Sequence, residues 1–258
     1  MCGRYASTQG PEGLAAEFGG FDATGEDAPG ADYNIAPTKD VLSVVQRHPR
    51  DGSGRPDPST TERSVRAMRW GLVPKWAEDP SIGTRMINAK SETVATKPAF
   101  RNAVRYYRCL LPADGWYEWK RDGGTKPGGT KQPYFVTRGD GSSLALAGIW
   151  ATWRDPHAGP GALPLVSCSV ITTDAAGPLA EVHERMPLML PERVWSRWLD
   201  PDLEDVSDVL GSSFPDLVGE LELRPVSRAV NSVRNNRPGL LERIDPAPPA
   251  EQAALFES

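Results

Sequence analysis

The residue with the most distinctive chemistry is the second one. Cys2 follows the initiator Met1, and a small second residue favours removal of that methionine, leaving a free α-amine and a thiol on one residue. Their reference pKa values are about 7.7–8.0 and about 8.5, so both groups are partly nucleophilic near neutral pH. Such a 1,2-aminothiol reacts with an aldehyde twice: the amine forms an imine, then the sulfur closes on the imine carbon to give a five-membered thiazolidine. An internal cysteine cannot do this. Taken alone, Cys2 is also readable as a chance second residue.

Other candidates stand elsewhere in the chain. His183, between Val182 and Glu184 and ahead of an apolar run, has the right type for proton transfer near neutral pH, or is a surface histidine at a helix end. Glu118 lies in Gly115-Trp116-Tyr117-Glu118-Trp119. In a strand, Glu118 shares a face with Trp116 while Tyr117 and Trp119 share the other. Walled by aromatics, its carboxyl keeps a raised pKa; with Tyr117 and Trp119 turned to the core, it faces water instead. Asn88 and Asn34 offer side-chain amides to orient a substrate, or serve as turn residues. His48 and His157 sit in polar loops and carry no functional expectation.

The remaining cysteines, Cys109 and Cys168, fall in apolar runs and read as small core residues. Three widely spaced cysteines argue against a disulfide framework and a CxxC zinc site, so no metal or cofactor is expected. The chain has 258 residues, 39% hydrophobic and 24% charged, with a net charge of −5. That balance fits a globular protein able to bury a core without staples. No apolar run approaches 18 residues and no signal-peptide pattern opens the chain, so a cytoplasmic protein with no membrane partner is expected. Charge is unevenly spread. Arg85, Lys90, Lys97, Arg101, Arg105 and Arg108 are opposed only by Glu92, whereas eight acids and no base lie between 200 and 222. One face can therefore be basic on an acidic molecule, which is a footprint for nucleic acid or simply a solvated face. The segment Trp70-Gly71-Leu72-Val73-Pro74-Lys75-Trp76 offers aromatic groups that can stack on bases.

These residues need a frame. Pro11-Glu12 opens a helix that Gly19-Gly20 ends. Helices are also expected after Pro98 to about 107 and over 191–199, with one or two turns over 178–183. Strand-like runs cover 41–46, 108–111, 115–120, 133–137, 144–153, 165–172 and 220–225. Polar, Gly/Pro-rich loops are expected over 19–32, 47–64, 121–132 and 154–164. Many strands, few helices and no βαβ alternation point to an α+β fold: one domain over 1–243 on a curved antiparallel sheet or open β-barrel, with a disordered tail over 244–258. No coiled coil is evident, and a monomer is expected.

Six segments occur in one order: Met1-Cys2-Gly3-Arg4-Tyr5, Tyr33-Asn34-Ile35-Ala36-Pro37-Thr38, Arg69-Trp70-Gly71-Leu72-Val73-Pro74-Lys75-Trp76, Asn88-Ala89-Lys90-Ser91-Glu92-Thr93, the run from Arg108 to Trp119, and His183-Glu184-Arg185-Met186-Pro187. This set closely resembles the SRAP (SOS response-associated peptidase) family, also called abasic site processing proteins, from Met1 to about Glu242. The resemblance implies a nucleophilic Cys2 freed of Met1, with Asn88, Glu118 and His183 as the other active-site residues. It also implies that Arg4, Lys90, Lys97 and Arg185 hold DNA phosphates, that Asn34 fixes Cys2 or the sugar, and that Trp76 and Trp119 lie along the DNA channel. Lys90 departs from the arginine often found there, keeping the charge but losing bidentate geometry. The implied partner is single-stranded DNA bearing abasic sites, or a single/double-strand junction, so the protein would associate with the nucleoid at damaged DNA. The same residues also suit an N-terminal-nucleophile peptidase or amidohydrolase, and the aromatic loop and basic patch suit a non-enzymatic reader of modified bases.

Overall fold

A computed structural model describes residues 2–26, 28–121, 131–159 and 161–245. Among these, the strands run in the order β1 (Tyr5–Ser7), β2 (Phe21–Asp22), β3 (Asp32–Ile35), β4 (Asp40–Arg47), β5 (Glu62–Trp70), β6 (Asn88–Lys90), β7 (Arg108–Ala113), β8 (Gly115–Arg121), β9 (Lys131–Arg138), β10 (Leu144–Trp153), β11 (Leu165–Asp174), β12 (Arg185–Pro187) and β13 (Leu221–Pro225). The helices are α1 (Pro11–Glu17), α2 (Arg101–Tyr106), α3 (Glu192–Leu199), α4 (Ser207–Leu210) and α5 (Pro215–Gly219). None is long and apolar enough to cross a membrane. The fold is the expected α+β single domain on a curled, open sheet.

The larger sheet has the order β12-β11-β10-β7-β4-β5-β2. It curls until the end of β5 meets β11 in parallel, Arg69 opposite Ser167 and Trp70 opposite Cys168. Only those two pairs form, so the curl stays open. β6 adds to β11 in parallel, Asn88 opposite Val170. Strand periodicity then sorts the side chains. Cys109, Leu111, Leu146, Cys168, Val170, Met68 and Trp70 fill the concave side together with Cys2. Leu110, Ala147, Ile149 and Ile171 face outward onto Leu14, Phe18, Val104 and Trp198 from α1, α2 and α3.

The smaller sheet, β13-β9-β8-β1-β3, lies across the concave side. Tyr5, Trp116 and Val136 enter the shared core, while Tyr117 and Phe135 pack on Val226, Val230 and Leu240. Cys109 and Cys168 are fully buried, as core cysteines should be.

Several expectations shift. The loop expected over 47–64 is shorter, because β4 runs to Arg47 and β5 starts at Glu62. Arg63, Arg66 and Arg69 hide the apolar alternation of β5, which is held by eight antiparallel pairs to β4. The helix expected from Pro98 begins only at Arg101. Parallel pairings of β2 and β11 with β5, and of β6 with β11, break the purely antiparallel expectation. The basic stretch is not one free face. Arg108 is buried and donates to the carbonyls of Val104, Arg105, Trp198, Asp200 and Leu203, and Arg105 pairs with Glu204. The acidic segment thus docks on part of the basic one. Most of the loop expected over 121–132, and the tail from 246 onward, lie outside the described residues; Ile244 still donates to the Pro225 carbonyl at 2.9 Å.

Candidate active site

Pairing of β1 with both β3 and β8 sets the start of the chain. Tyr5 lies opposite Trp116 and Ile35, and the Arg4 carbonyl accepts from the Tyr117 amide at 2.9 Å. Cys2 is thereby drawn into the concave core, where it is 0% exposed. Its carbonyl accepts from Asn88 Nδ2 at 2.7 Å. Because β6 is bonded to β11, this contact ties the amino terminus to the larger sheet. Asn88 Oδ1 is buried and accepts no hydrogen bond from the described residues.

Glu118 follows Trp116 on the same face of β8 and is buried. Of the two readings open in the sequence, the inward one is realised, and Tyr117 is buried on the opposite face as well. Burial raises the Glu118 carboxyl above the ordinary glutamate range. The Cys2 thiol is raised far more, first by burial and then by the nearby Glu118 charge. The sequence expectation of a partly ionised thiol therefore fails for this buried group; a base must take its proton for it to act.

His183 follows a 3₁₀ turn, Gly177–Glu181, and precedes β12. Its Nδ1 accepts from the Arg185 amide at 2.9 Å, which leaves Nε2 as the protonated nitrogen of the neutral ring. Burial lowers its pKa, favouring that neutral form. Glu118 and His183 share a pocket of about 650 Å³ with Trp119, Lys120, Lys131 and Glu181 among its walls. Cys2, Asn88, Glu118 and His183, spread over 182 positions of sequence, thus converge on one end of the curl. A buried carboxyl with a raised pKa, an imidazole whose lowered pKa favours its neutral form and an open amide acceptor can together move protons around a carbonyl carbon.

The residues expected to hold DNA divide in two. Arg4 is half-buried, donating to Asn34 Oδ1 at 2.6 Å and to the Val230 carbonyl at 2.9 Å, with its guanidinium 5.7 Å from the centre of the Trp119 ring. Asn34 is fully buried, and its Nδ2 donates to the carbonyls of Val230, Ser232 and Asn235. Arg185 is buried, forking onto Glu92 at 2.6 and 3.0 Å and also reaching Asp174 and the Thr172 carbonyl, each at 2.6 Å. The sequence-derived phosphate role for Arg4 and Arg185, and the substrate role for Asn34, thus meet side chains already committed inside the protein. Arg4 Nη1, Asn34 Nδ2 and both Arg185 Nη atoms donate to amide, backbone or carboxylate oxygens, as burial of such groups requires. The buried Arg185 Nε finds no acceptor among the described residues.

Lys90, Lys97 and Trp76 are exposed, Trp76 by 60%. The Trp76 loop turns out of β5 at Gly71, whose φ of +125° and close approach to Gly83, 2.6 Å from an added Cβ to the carbonyl oxygen, both demand glycine. Trp119 is half-buried beside the pocket, and its Nε1 donates to Asn231 Oδ1 at 2.8 Å.

The sequence reading passed over the partners of these residues. Lys120 and Lys131 line the pocket, and the 230–235 loop receives Arg4, Asn34 and Trp119. Asn231, Asn235 and Asn236 crowded near Pro238 were the available signal for a side-chain-bonded loop.

The profile of the SOS response associated peptidase (SRAP) family matches residues 1–233. Abasic site processing protein YoqW of Bacillus subtilis is 34% identical over 244 residues, covering 94% of this chain and 99% of that protein. Abasic site processing protein YedK of Escherichia coli is 30% identical over 250 residues, covering 95% and 100%. A crystal structure of a Bacteroides thetaiotaomicron protein superposes with a TM-score of 0.74 at 21% identity, over 94% of this chain and all of the other, and so shares the fold. This chain belongs to the SRAP family.

Proposed function

We propose that this chain processes abasic sites in single-stranded DNA, or at single/double-strand junctions, by forming a thiazolidine between Cys2 and C1′ of the lesion. The observation that carries this reading is the convergence of Cys2, Asn88, Glu118 and His183 at one end of the curl. The names of the full-length relatives support the same substrate class.

Removal of Met1 gives Cys2 its amine, and Cys2 with Glu118 assists that cleavage. An abasic deoxyribose is in equilibrium with an open-chain aldehyde. Protonated Glu118 donates to the ring oxygen as the sugar opens. The Cys2 nitrogen then bonds to C1′, and the aldehyde oxygen leaves as water. Next the sulfur adds to the imine carbon while its proton passes to nitrogen, which saturates the ring. His183 accepts and returns protons beside the sugar hydroxyl, and the unpartnered Asn88 Oδ1 accepts from the reacting Cys2 group. Ring closure removes the imine that otherwise invites β-elimination and strand breakage, so the strand is kept whole.

Trp76 and Trp119 supply faces for stacking, and Lys90 and Lys97 supply charge for phosphates. Arg4, Asn34 and Arg185 act one step back, by positioning the amino terminus and the pocket wall.

The test uses processed protein and uracil-excised single-stranded DNA on a denaturing gel. A heat-stable shifted band is expected from the native chain and none from Cys2→Ala. A band that persists in Cys2→Ala overturns the mechanism.

A further inference from the structure

The pocket that holds Glu118 and His183 has two walls. The end of the 3₁₀ turn Gly177–Glu181 and the residues after it, as far as Glu184, form one, and the ends of β8 and β9 form the other. Hairpin register sets the second wall, with Glu118 opposite Tyr134, Lys120 opposite Gln132 and Arg121 opposite Lys131. The pocket volume of about 650 Å³ falls within the roughly 300–1,000 Å³ of sites that bury a drug-sized ligand. A deoxyribose therefore leaves space for a phosphate attached to it.

The two lysines of this pocket differ. Lys120 Nζ lies 3.6 Å from Glu181 Oε2, so its charge is answered within the walls. Lys131 is exposed, and among the described residues no carboxylate comes within ion-pair distance of it. Its charge nevertheless reaches the Glu118 carboxyl, where it opposes the upward effect of burial. A charge that reaches Glu118 also reaches the sugar that Glu118 would protonate, and every sugar within a strand carries a phosphate on each side.

Lys131 also stands on the opposite sheet from Lys90. Lys90 belongs to β6, bonded to the larger sheet two residues from the Asn88 that holds the Cys2 carbonyl, whereas β9 belongs to the smaller sheet. Cys2 lies between, drawn inward by the pairing of β1 with β8. We infer that Lys131 holds a phosphate directly flanking the abasic sugar, so that a strand crosses the seam between the sheets with its backbone held by Lys131 on one side and Lys90 on the other. This rests on the reading of the site as one for abasic single strands, and adds to it a contact and a path. An ammonium on a flexible stem is a point charge rather than a fixed fork, so it can follow the phosphate as the sugar opens and C1′ approaches Cys2.

The test separates contact from chemistry. A single strand carrying tetrahydrofuran in place of the abasic sugar cannot form an imine, so fluorescence anisotropy reads binding alone. One phosphate beside the tetrahydrofuran, on the 5′ or the 3′ side, is replaced by a neutral methylphosphonate. On one of the two sides this should weaken binding to the native chain about three- to tenfold, the span of one hydrogen bond's net contribution. In Lys131→Gln the same replacement should cost almost nothing, because the charge it answers is gone, and Lys131→Arg should restore the sensitivity. Crosslinking of the native chain to a uracil-excised strand, run alongside, reports the reaction by itself. If that chain crosslinks but the methylphosphonate costs as much in Lys131→Gln as in the native chain, the Lys131 contact is overturned and the reaction stands. Sensitivity lost in Lys120→Gln instead overturns the assignment equally, since the strand then opens the Glu181 pair. Sensitivity that depends on Lys131 in a chain that fails to crosslink supports the contact and refutes the reaction.

Discussion

Six of the seven residues that sequence resemblance groups as nucleic-acid contacts fall into two sets that differ in almost every physical respect. Arg4, Asn34 and Arg185 are drawn inward, and each meets several carbonyl or carboxylate oxygens of the protein. Trp76, Lys90 and Lys97 stand exposed on loops and a short edge strand. The guanidinium fork and the amide can satisfy several oxygens at once in a fixed geometry, whereas an ammonium on a flexible stem is a hydrated point charge. Burial therefore favours the two arginines and the asparagine inside the frame and leaves the lysines and the exposed tryptophan in solvent. Residue type and position in a motif do not separate a positioning residue from a contacting one; the oxygens it already holds inside the protein do.

Glu118 is buried like the inner set but, unlike its members, is asked to do chemistry, and it gives the severest test. Glu118→Gln keeps size and polarity but cannot give up a proton, and should slow crosslinking about 10²–10⁴-fold, the usual reach of general acid–base catalysis. The pH dependence sharpens this. A carboxyl whose folded pKa lies above its unfolded value contributes stability that is complete below the unfolded value and is lost as pH rises through the folded one. Native stability and crosslinking rate should therefore both decline above the ordinary glutamate range, while Glu118→Gln is flat there by urea unfolding and by single-turnover gels. A variant that reacts at the native rate would reduce Glu118 to a packing residue.

Asn34→Ala tests the frame. It strips one acceptor from Arg4 and one amide donor shared by three carbonyls, and should cost about 3 kcal/mol of stability, measured by urea unfolding. At temperatures where the variant is folded, its crosslinking rate and its salt dependence should stay near native. A stable variant that fails to bind DNA would move Asn34 into the contacting set.

How far the sequence reaches follows the same division. Long, largely apolar runs such as β10 and β11 were legible as strands, and so was α1 with its proline start and glycine end. β5 was not, because three arginines interrupt its apolar face and only the pairing with β4 reveals it. Cys2 was legible as a candidate nucleophile, beside the reading of a chance second residue, but its burial was not, since burial depends on how β1 and β8 pair. For Glu118 the sequence narrowed the choice to two faces, and tertiary packing decided it. The 230–235 loop went unread because most of its contacts are carbonyls offered to distant side chains, so its asparagines mark a bonded loop without naming the residues it receives.

The smallest expected effect completes the comparison. Lys90 lies on β6, two residues from Asn88, with its side chain in solvent. Lys90→Ala should change stability by no more than about 0.5 kcal/mol, as for most surface substitutions. On an unmodified single strand, with Cys2→Ala as background so that no covalent step intervenes, each phosphate left without its lysine should make the slope of log affinity against log salt shallower by about 0.7. Lys97→Ala should do the same independently, and the double variant should show about twice the change if the two lysines hold different phosphates. Lys90→Arg should bind somewhat tighter than native, because a fork replaces a point charge. An unchanged salt slope in both single variants would return the phosphate-holding role to the inner arginines, and would require the Arg185 fork on Glu92 to open whenever a strand arrives.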